Sequence, residues 1–171
     1  MQHRTVAKIA AMAHAEVVKA RPAMVHRASG AGSRERLVLS HEQEQMWVLY
    51  ELDRSSAAYS VPHVQRLRGE LRVDHLVSAV KSAAEKHAVL RMQYGIVAHE
   101  EGVRQWAVPS EEWELPVHEV DARDEEAAQM AIDKEVGTPI ELEVSSVRLL
   151  VVHLIGTKEH IVDRKSTRLN S

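Results

Sequence analysis

Hydrophobic and polar positions recur with different periods along the chain, and these periods divide it into three parts. Near the N-terminus, apolar residues recur at helical spacing behind Thr5, which is placed to cap a first turn, so the pattern predicts one amphipathic helix within residues 1–20. Residues 21–36 contain one Pro, two Gly and two Ser and show no period, which is typical of a linker. From residue 37 to residue 162 helical and strand periods alternate, and this stretch is predicted to be the folded body. The apolar face of the first helix comprises Val6, Ile9, Ala10, Ala13 and Val17.

Within the folded body the pattern predicts a mixed α/β (α+β) domain. Helices are predicted around 46–50, from Asp74 to residue 87, and over 124–136, where acidic residues occupy the first turn. Strands are predicted within 61–69 and over 115–122, 145–156 and 159–162. A hairpin is predicted from 88–99 and 103–109 around an acidic turn that contains Gly102.

Composition excludes several classes of function. The chain has 171 residues and no Cys, so disulfides, thiolate catalysis and Cys-based zinc sites are excluded. A formal charge of −3 argues against nucleic-acid binding, and no run approaches the roughly 20 apolar residues of a membrane span. Charged residues also interrupt the apolar stretches near the N-terminus, so no secretory signal is visible, and we expect a cytoplasmic protein.

Local chemistry adds little by itself. The 11 His never form an HxxxH pair, and carboxylates do not cluster, so the residues indicate no metal site and no bound cofactor. His87 shares a helical face with apolar residues, which predicts a packed and hydrogen-bonded histidine. Trp47, Trp106 and Trp113 are expected in the core rather than on a ligand.

Two blocks of the sequence carry a more specific signal. LSHEQEQMWVL, residues 39–49, resembles SxAQxRMWxL, the first motif of the condensation domains of nonribosomal peptide synthetases. Residues 69–91 resemble the stretch that leads into the RHExLRTxF motif of the same domains. The departures from the two motifs are Glu42, Gln45, Lys86, Ala88, Met92 and Tyr94. The residues that match, and for which a structural role is implied, are Ser40, Gln43, Met46, Trp47, His87, Leu90 and Arg91.

Two further segments continue the resemblance in the same order. Residues 58–69 are similar to the first core strand of the family, and residues 138–162 look like its PFDL segment followed by the strand hairpin that delivers the catalytic loop. Residues 1–20 resemble the last helix of a carrier protein domain, and the linker then stands where these enzymes join a carrier to a condensation domain. The resemblance thus extends over most of the chain.

This resemblance implies a chloramphenicol-acetyltransferase-like fold of two lobes, of which the chain supplies only the N-terminal lobe. The parent enzyme is then expected to form amide bonds between aminoacyl or peptidyl thioesters, which carrier protein domains present on phosphopantetheine. The implied partners are those carrier domains and the adjacent synthetase domains. The chain itself is expected to hold no cofactor.

The family's catalytic motif, HHxxxDG, is expected a few apolar residues after a strand like EHIV at 159–162. No pair of adjacent His occurs in the chain, so the resemblance assigns it no catalytic residue, and the isolated chain is expected to be inactive and of doubtful folding. Arg91 matches an Arg that pairs with the Asp of that motif, which is a structural role; the alternative is an ordinary surface Arg.

DRKSTRLNS, residues 163–171, occupies the place of the catalytic motif. One DNA string, GATCGGAAGAGCACACGTCTGAACTCC, encodes all nine residues and looks like the start of a sequencing-library adapter, so we interpret them as translated adapter. Two alternatives stay open. One is an epimerization or ester-forming domain of the same fold, and the other is a noncatalytic carrier-binding protein with a natural tail.

Overall fold

The computed structural model of the protein describes residues 35–170. The predicted helix within 1–20 and nearly all of the predicted linker lie outside the described residues. The helices of the described part are α1 (His41–Leu52), α2 (Val73–Lys86) and α3 (Glu125–Gly137), with 3-10 turns at Ala88–Arg91 and Arg168–Asn170. The strands are β1 (Leu37–Val38), β2 (Ser60–Val61), β3 (Val64–Arg68), β4 (Met92–Ile96), β5 (Val103–Ala107), β6 (Val117–Ala122), β7 (Val147–Leu154) and β8 (Glu159–Thr167).

The larger sheet is built around β7 and β8. Its strand order is β2-β8-β7-β6, and β3 pairs with β8 along the same edge as β2. β6 and β7 run parallel because α3 crosses between them, whereas β7 and β8 form an antiparallel hairpin that turns at Gly156. Gly156 has φ of +78°, which a residue with a side chain rarely adopts.

Helices cover both faces of this sheet, so β7 is buried on both sides. Alternate residues of a strand point to opposite faces. One set packs with α3, and the buried residues of this core are Ala122, Ala128, Ile132, Leu150, Val152, Leu154 and Ile161. The other set packs with α2 and the segment before β6, and the buried residues of this core are Ala84, Trp113, Leu115, Val147, Leu149 and Val151. This two-sided burial explains the continuous apolar run of β7 in the sequence.

The smaller sheet, in the order β1-β5-β4, packs with α1 around a third core. Its buried members are Leu39, Trp47, Tyr50, Tyr94, Ile140, Leu142 and Leu169. This core therefore joins the first motif block, the β4–β5 hairpin and the 3-10 turn that follows β8.

Three details differ from the predictions. His87 ends α2 as its C-cap and is exposed, so the prediction of a packed histidine is wrong; the helix stops one residue before His87 can join its apolar face. The strand predicted within 61–69 is split at Pro62 and His63, since a proline nitrogen has no proton to donate to β8. The strand predicted to end at Val162 continues to Thr167.

Among the described residues, no helix is long and apolar enough to cross a membrane. The mixed α/β fold class is confirmed.

Candidate functional site

The first motif block begins α1 with a reciprocal cap. The Gln43 backbone N–H donates to Ser40 Oγ at 3.2 Å, and the Ser40 backbone N–H donates to Gln43 Oε1 at 2.9 Å. This capping box satisfies two amide groups that the first turn of a helix leaves unpaired. One turn later the half-buried Met46 and the buried Trp47 enter the third core. The motif thus fixes both the start and the inner face of α1.

Gln43 also reaches across the molecule to the end of β8. Its Nε2 group donates to the Leu169 carbonyl oxygen at 2.9 Å. Its side-chain amide exchanges hydrogen bonds with that of Gln105 on β5, at 2.9 and 3.3 Å. One side chain of the first motif therefore links α1, β5 and the turn that follows β8.

Tyr94 approaches the same carbonyl from β4. It occupies the position of the Phe in the second motif, and its hydroxyl lies 3.1 Å from the Leu169 carbonyl oxygen and 2.9 Å from Asn170 Oδ1. The side chain is fully buried, and this burial raises the pKa of Tyr94. Two motif blocks that are separated in the sequence therefore converge on the backbone immediately after β8.

Replacing Tyr94 with Phe tests this convergence. The ring packing stays, but one buried hydrogen bond is lost, so the free energy of unfolding is expected to fall by about 1 kcal/mol. Urea unfolding measures it, and Tyr59→Phe, at a half-buried tyrosine outside this contact, is the matched control. An unchanged or raised stability in Tyr94→Phe contradicts the assigned hydrogen bond.

The structure places the residues of the second motif block in different environments. Arg91 is buried, and its guanidinium donates to the Ala84 carbonyl oxygen at 2.8 Å and to that of Val108. The alternative of a surface Arg is therefore wrong, and both recorded partners are backbone carbonyls instead of a carboxylate. Leu90 is half-buried against the α2 core, whereas His87 faces solvent. Arg91 thus ties the end of α2 to the end of β5.

A buried ionic cluster at the C-terminal end of α3 has no signal in the sequence. Glu135 is its centre: Arg148 Nε donates to Glu135 Oε1 at 2.5 Å, and Lys165 Nζ lies 3.5 Å from the same oxygen. His118 Nδ1 lies 3.3 Å from Glu135 Oε2. The members come from α3, β6, β7 and β8, so only the folded sheet brings them together.

Burial and the neighbouring charges shift the pKa values of the groups in this cluster. Burial raises the pKa of Glu135, but Arg148, Lys165 and His118 more than offset this and hold it below its usual range. Burial lowers the pKa of Lys165, whose ammonium also donates to backbone carbonyls at the end of α3, including that of Thr138 at 2.6 Å. The cluster closes the last turn of α3, where carbonyl groups lack partners within the helix.

Asp163 lies nearby on the same face of the sheet as Ile161. It is fully buried, its Oδ1 accepts from the His63 backbone N–H at 2.9 Å, and its Oδ2 has no hydrogen-bond partner among the described residues. Burial raises the pKa of this carboxyl group. In the sheet it pairs with Leu150, a member of the apolar core under α3. The site therefore accommodates an apolar residue better than a carboxylate.

These side chains hold parts of the backbone in position. Gln43, Tyr94 and Arg91 all donate hydrogen bonds to backbone carbonyl oxygens. A cleft of about 160 Å³ lies beside the ionic cluster, and the His118 imidazole lines it. Within residues 35–170, no three His, Asp or Glu side chains converge to hold a metal. Gln43 and Tyr94 hold the turn after β8 in place, and the ionic cluster closes the last turn of α3.

Comparison with known proteins identifies the family of this chain. The family model described as "Condensation domain" matches residues 33–162. The chain belongs to the condensation domain family. The predicted family is confirmed. The predicted fold, a part of the chloramphenicol-acetyltransferase-like fold, is confirmed as well.

The relatives of this chain are named as synthases or as nonribosomal peptide synthetases. Chondramide synthase cmdD of Chondromyces crocatus is 32% identical over 111 residues, which are 63% of this chain and 3% of that protein. Surfactin synthase subunit 2 of Bacillus subtilis is 28% identical over 132 residues, which are 77% of this chain and 4% of that protein. The chain thus spans a small part of the length of these relatives.

Solved condensation domains share the fold at low sequence identity. The starter condensation domain of the rhizomide synthetase RzmA superposes with a TM-score of 0.67 at 16% identity, covering 79% of this chain and 34% of that one. The first condensation domain of the CDA synthetase gives 0.62 at 17%, covering 78% and 34%. Coverage of about a third of each domain is consistent with one lobe.

Proposed function

We propose that this chain forms most of the N-terminal lobe of a condensation domain in a nonribosomal peptide synthetase. The parent enzyme joins aminoacyl or peptidyl groups, held as thioesters on carrier domains, through an amide bond. The family match over residues 33–162 carries the proposal. The capping box of Ser40 and Gln43 supports it, because it gives two residues of the family's first motif a structural role at the start of α1.

In this proposal the lobe holds the catalytic loop in place, and the loop of the parent enzyme supplies the imidazole that accepts a proton. A proton-accepting imidazole must lie within hydrogen-bond reach of the attacking amine, and small displacements of such a group are costly. Gln43 acts as a positioning residue, because its capping box with Ser40 and its hydrogen bonds with Gln105 on β5 hold α1 in place in this lobe. The partners are carrier protein domains that bear phosphopantetheine, together with neighbouring synthetase domains, in the cytoplasm.

A chimeric domain tests the proposal. Residues 37–162 replace the matching segment of a condensation domain from surfactin synthase subunit 2, which supplies the catalytic loop and the second lobe. We expect the chimera to form an amide from carrier-bound donor and acceptor, detected by intact-protein mass spectrometry. Gln43→Ala is expected to slow this by up to about 100-fold through misplacement of the loop. The isolated 171-residue chain is expected to form none.

The matched control is Gln45→Ala, an exposed amide on the same helix whose recorded partner is His41. A chimera that folds and accepts loaded carriers without forming amide overturns the proposal. Equal loss in Gln45→Ala and Gln43→Ala overturns the positioning role. Amide formation by the isolated chain contradicts its expected inactivity.

We also propose that residues 163–171 are translated adapter sequence. The single DNA string that encodes them supports this, as does the family match that covers residues up to 162. The buried, incompletely satisfied Asp163 supports it too, because that position favours an apolar residue. A read of the source genomic DNA across codon 162 tests it: continuation into HHxxxDG supports the proposal, whereas DRKSTRLNS followed by a stop codon overturns it.

A further inference from the structure

Two histidines face each other across the β7–β8 hairpin, away from the ionic cluster. His153 and His160 are direct register partners, and their Nδ1 atoms lie 2.8 Å apart. The rings meet edge to face, with centroids 5.0 Å apart and an interplanar angle of 85°. The two Nδ1 atoms are therefore in direct contact.

The outer nitrogen of each ring has an acceptor beside it. His160 Nε2 lies 3.1 Å from the Gly69 carbonyl oxygen, which can only accept, so this nitrogen carries a proton. His153 Nε2 lies 3.5 Å from the Glu119 carboxylate, which favours a proton there as well. When both outer nitrogens carry their protons, the two Nδ1 atoms of neutral rings present lone pairs to each other. At 2.8 Å that arrangement is stabilised by a proton or a metal ion bound to both nitrogens.

We propose that His153 and His160 form a bidentate site for a divalent transition metal, with Nδ1 of each ring as the ligand. Imidazole nitrogens bind such metals at about 2.0–2.1 Å, so two nitrogens at a right angle lie about 2.9 Å apart. The observed distance of 2.8 Å between the two Nδ1 atoms is close to this value. The carbonyl and carboxylate on the outer nitrogens are the groups that orient metal-binding histidines in known sites.

The surroundings set the class of metal. Glu119 and Asp121 on β6 add negative charge, and Lys158 is engaged by Glu70 at 3.6 Å. The His153 side chain is 24% exposed, so ions reach the pair from solvent. No third His, Asp or Glu side chain joins the pair in the part of the chain that the structure describes, so water completes the coordination. Such a ligand set favours Cu²⁺ over Ni²⁺ and Zn²⁺ and excludes Mg²⁺.

Titration of the full chain with Cu²⁺ tests the site. Calorimetry measures affinity, and electron paramagnetic resonance detects nitrogen coupling from two imidazoles. His153→Gln and His160→Gln are each expected to weaken binding by about 10-fold or more, because chelation by the second ring is lost. The control is the double variant His41→Gln/His75→Gln, which removes two exposed imidazoles from α1 and α2.

Equal affinity in the unaltered chain and in His153→Gln overturns the site, as does coupling from a single nitrogen. A loss in the control variant as large as that in His160→Gln also overturns it, since binding then belongs to surface imidazoles in general. Far-UV circular dichroism checks that each variant keeps its fold. The same substitutions in the chimeric domain repeat the test in a complete condensation domain, and the outcome is independent of amide formation.

Discussion

Replacing Glu135 with Gln is expected to lower the free energy of unfolding by about 3–5 kcal/mol, the cost of removing one partner of a buried ion pair. Glu135 is 6% exposed and is the one carboxylate in contact with Arg148, at 2.5 Å, and with Lys165, at 3.5 Å, among the described residues. Without its charge, two cations stay beside each other in the interior. The neutral amide keeps the volume, so packing contributes little to the loss.

Urea unfolding followed by circular dichroism measures this effect, with an unchanged m value as evidence of the same folded state. Glu126→Gln on the exposed side of α3 is the matched control, expected to change stability by less than about 0.5 kcal/mol. If both variants lose the same small amount, the cluster contributes no more than a surface charge. That result contradicts the assigned role of Glu135.

Replacing Asp163 with Val is expected to act in the opposite direction and raise the free energy of unfolding by about 1–3 kcal/mol, the cost of a buried polar group that lacks a partner. The side chain is fully buried and Oδ2 has no hydrogen-bond partner among the described residues, so the cost of desolvation exceeds what the His63 N–H and the nearby Lys165 return. The substitution costs little in return, since the His63 backbone N–H also donates to the Arg164 carbonyl oxygen at 3.1 Å. Val is also a good strand former beside Leu150.

The gain should depend on pH. Burial raises the pKa of Asp163 above its ordinary value of 3.8, so the folded chain keeps a proton that the unfolded chain releases. Stability is therefore lost as pH rises from 3.8 through the raised value. The advantage of Asp163→Val should be small at the acid end of this window and full above it.

Unfolding curves at several pH values measure the difference between the two proteins. Arg164→Val, at the neighbouring exposed position on β8, controls for strand propensity. If Asp163→Val is less stable than the parent above this window, the carboxylate is favourable where it lies. In that case the burial of charge no longer supports an adapter origin for residues 163–171.

The buried Arg91 illustrates how far a motif match extends. The resemblance identified the residue and implied as its partner the Asp of HHxxxDG, a motif that this chain does not contain. Here the guanidinium binds the Ala84 and Val108 carbonyl oxygens. A motif specifies residue types in a local context. The partner depends on which strand ends and loops surround the side chain, and those come from elsewhere in the chain.

The sequence by itself determined the local elements and the family. Periodicity predicted α3 and β7 closely, because a helix with an acidic first turn and a strand buried on both faces each leave a signal within about a dozen residues. Ordered motifs predicted the family, since each of them also has a local purpose, such as the capping box of Ser40 and Gln43.

Only the tertiary structure decided which side chains meet. Gln43 with Leu169, His153 with Glu119, and Glu135 with Lys165 are separated by long stretches of chain, so no local pattern predicts these contacts. It also decided that positions 163 and 165 face inward, because sheet pairing carries β8 past the last apolar residue of its run. Backbone hydrogen bonds to β7 do not depend on the side chains that they place in the core, and this is why a polar sequence continues an apolar strand.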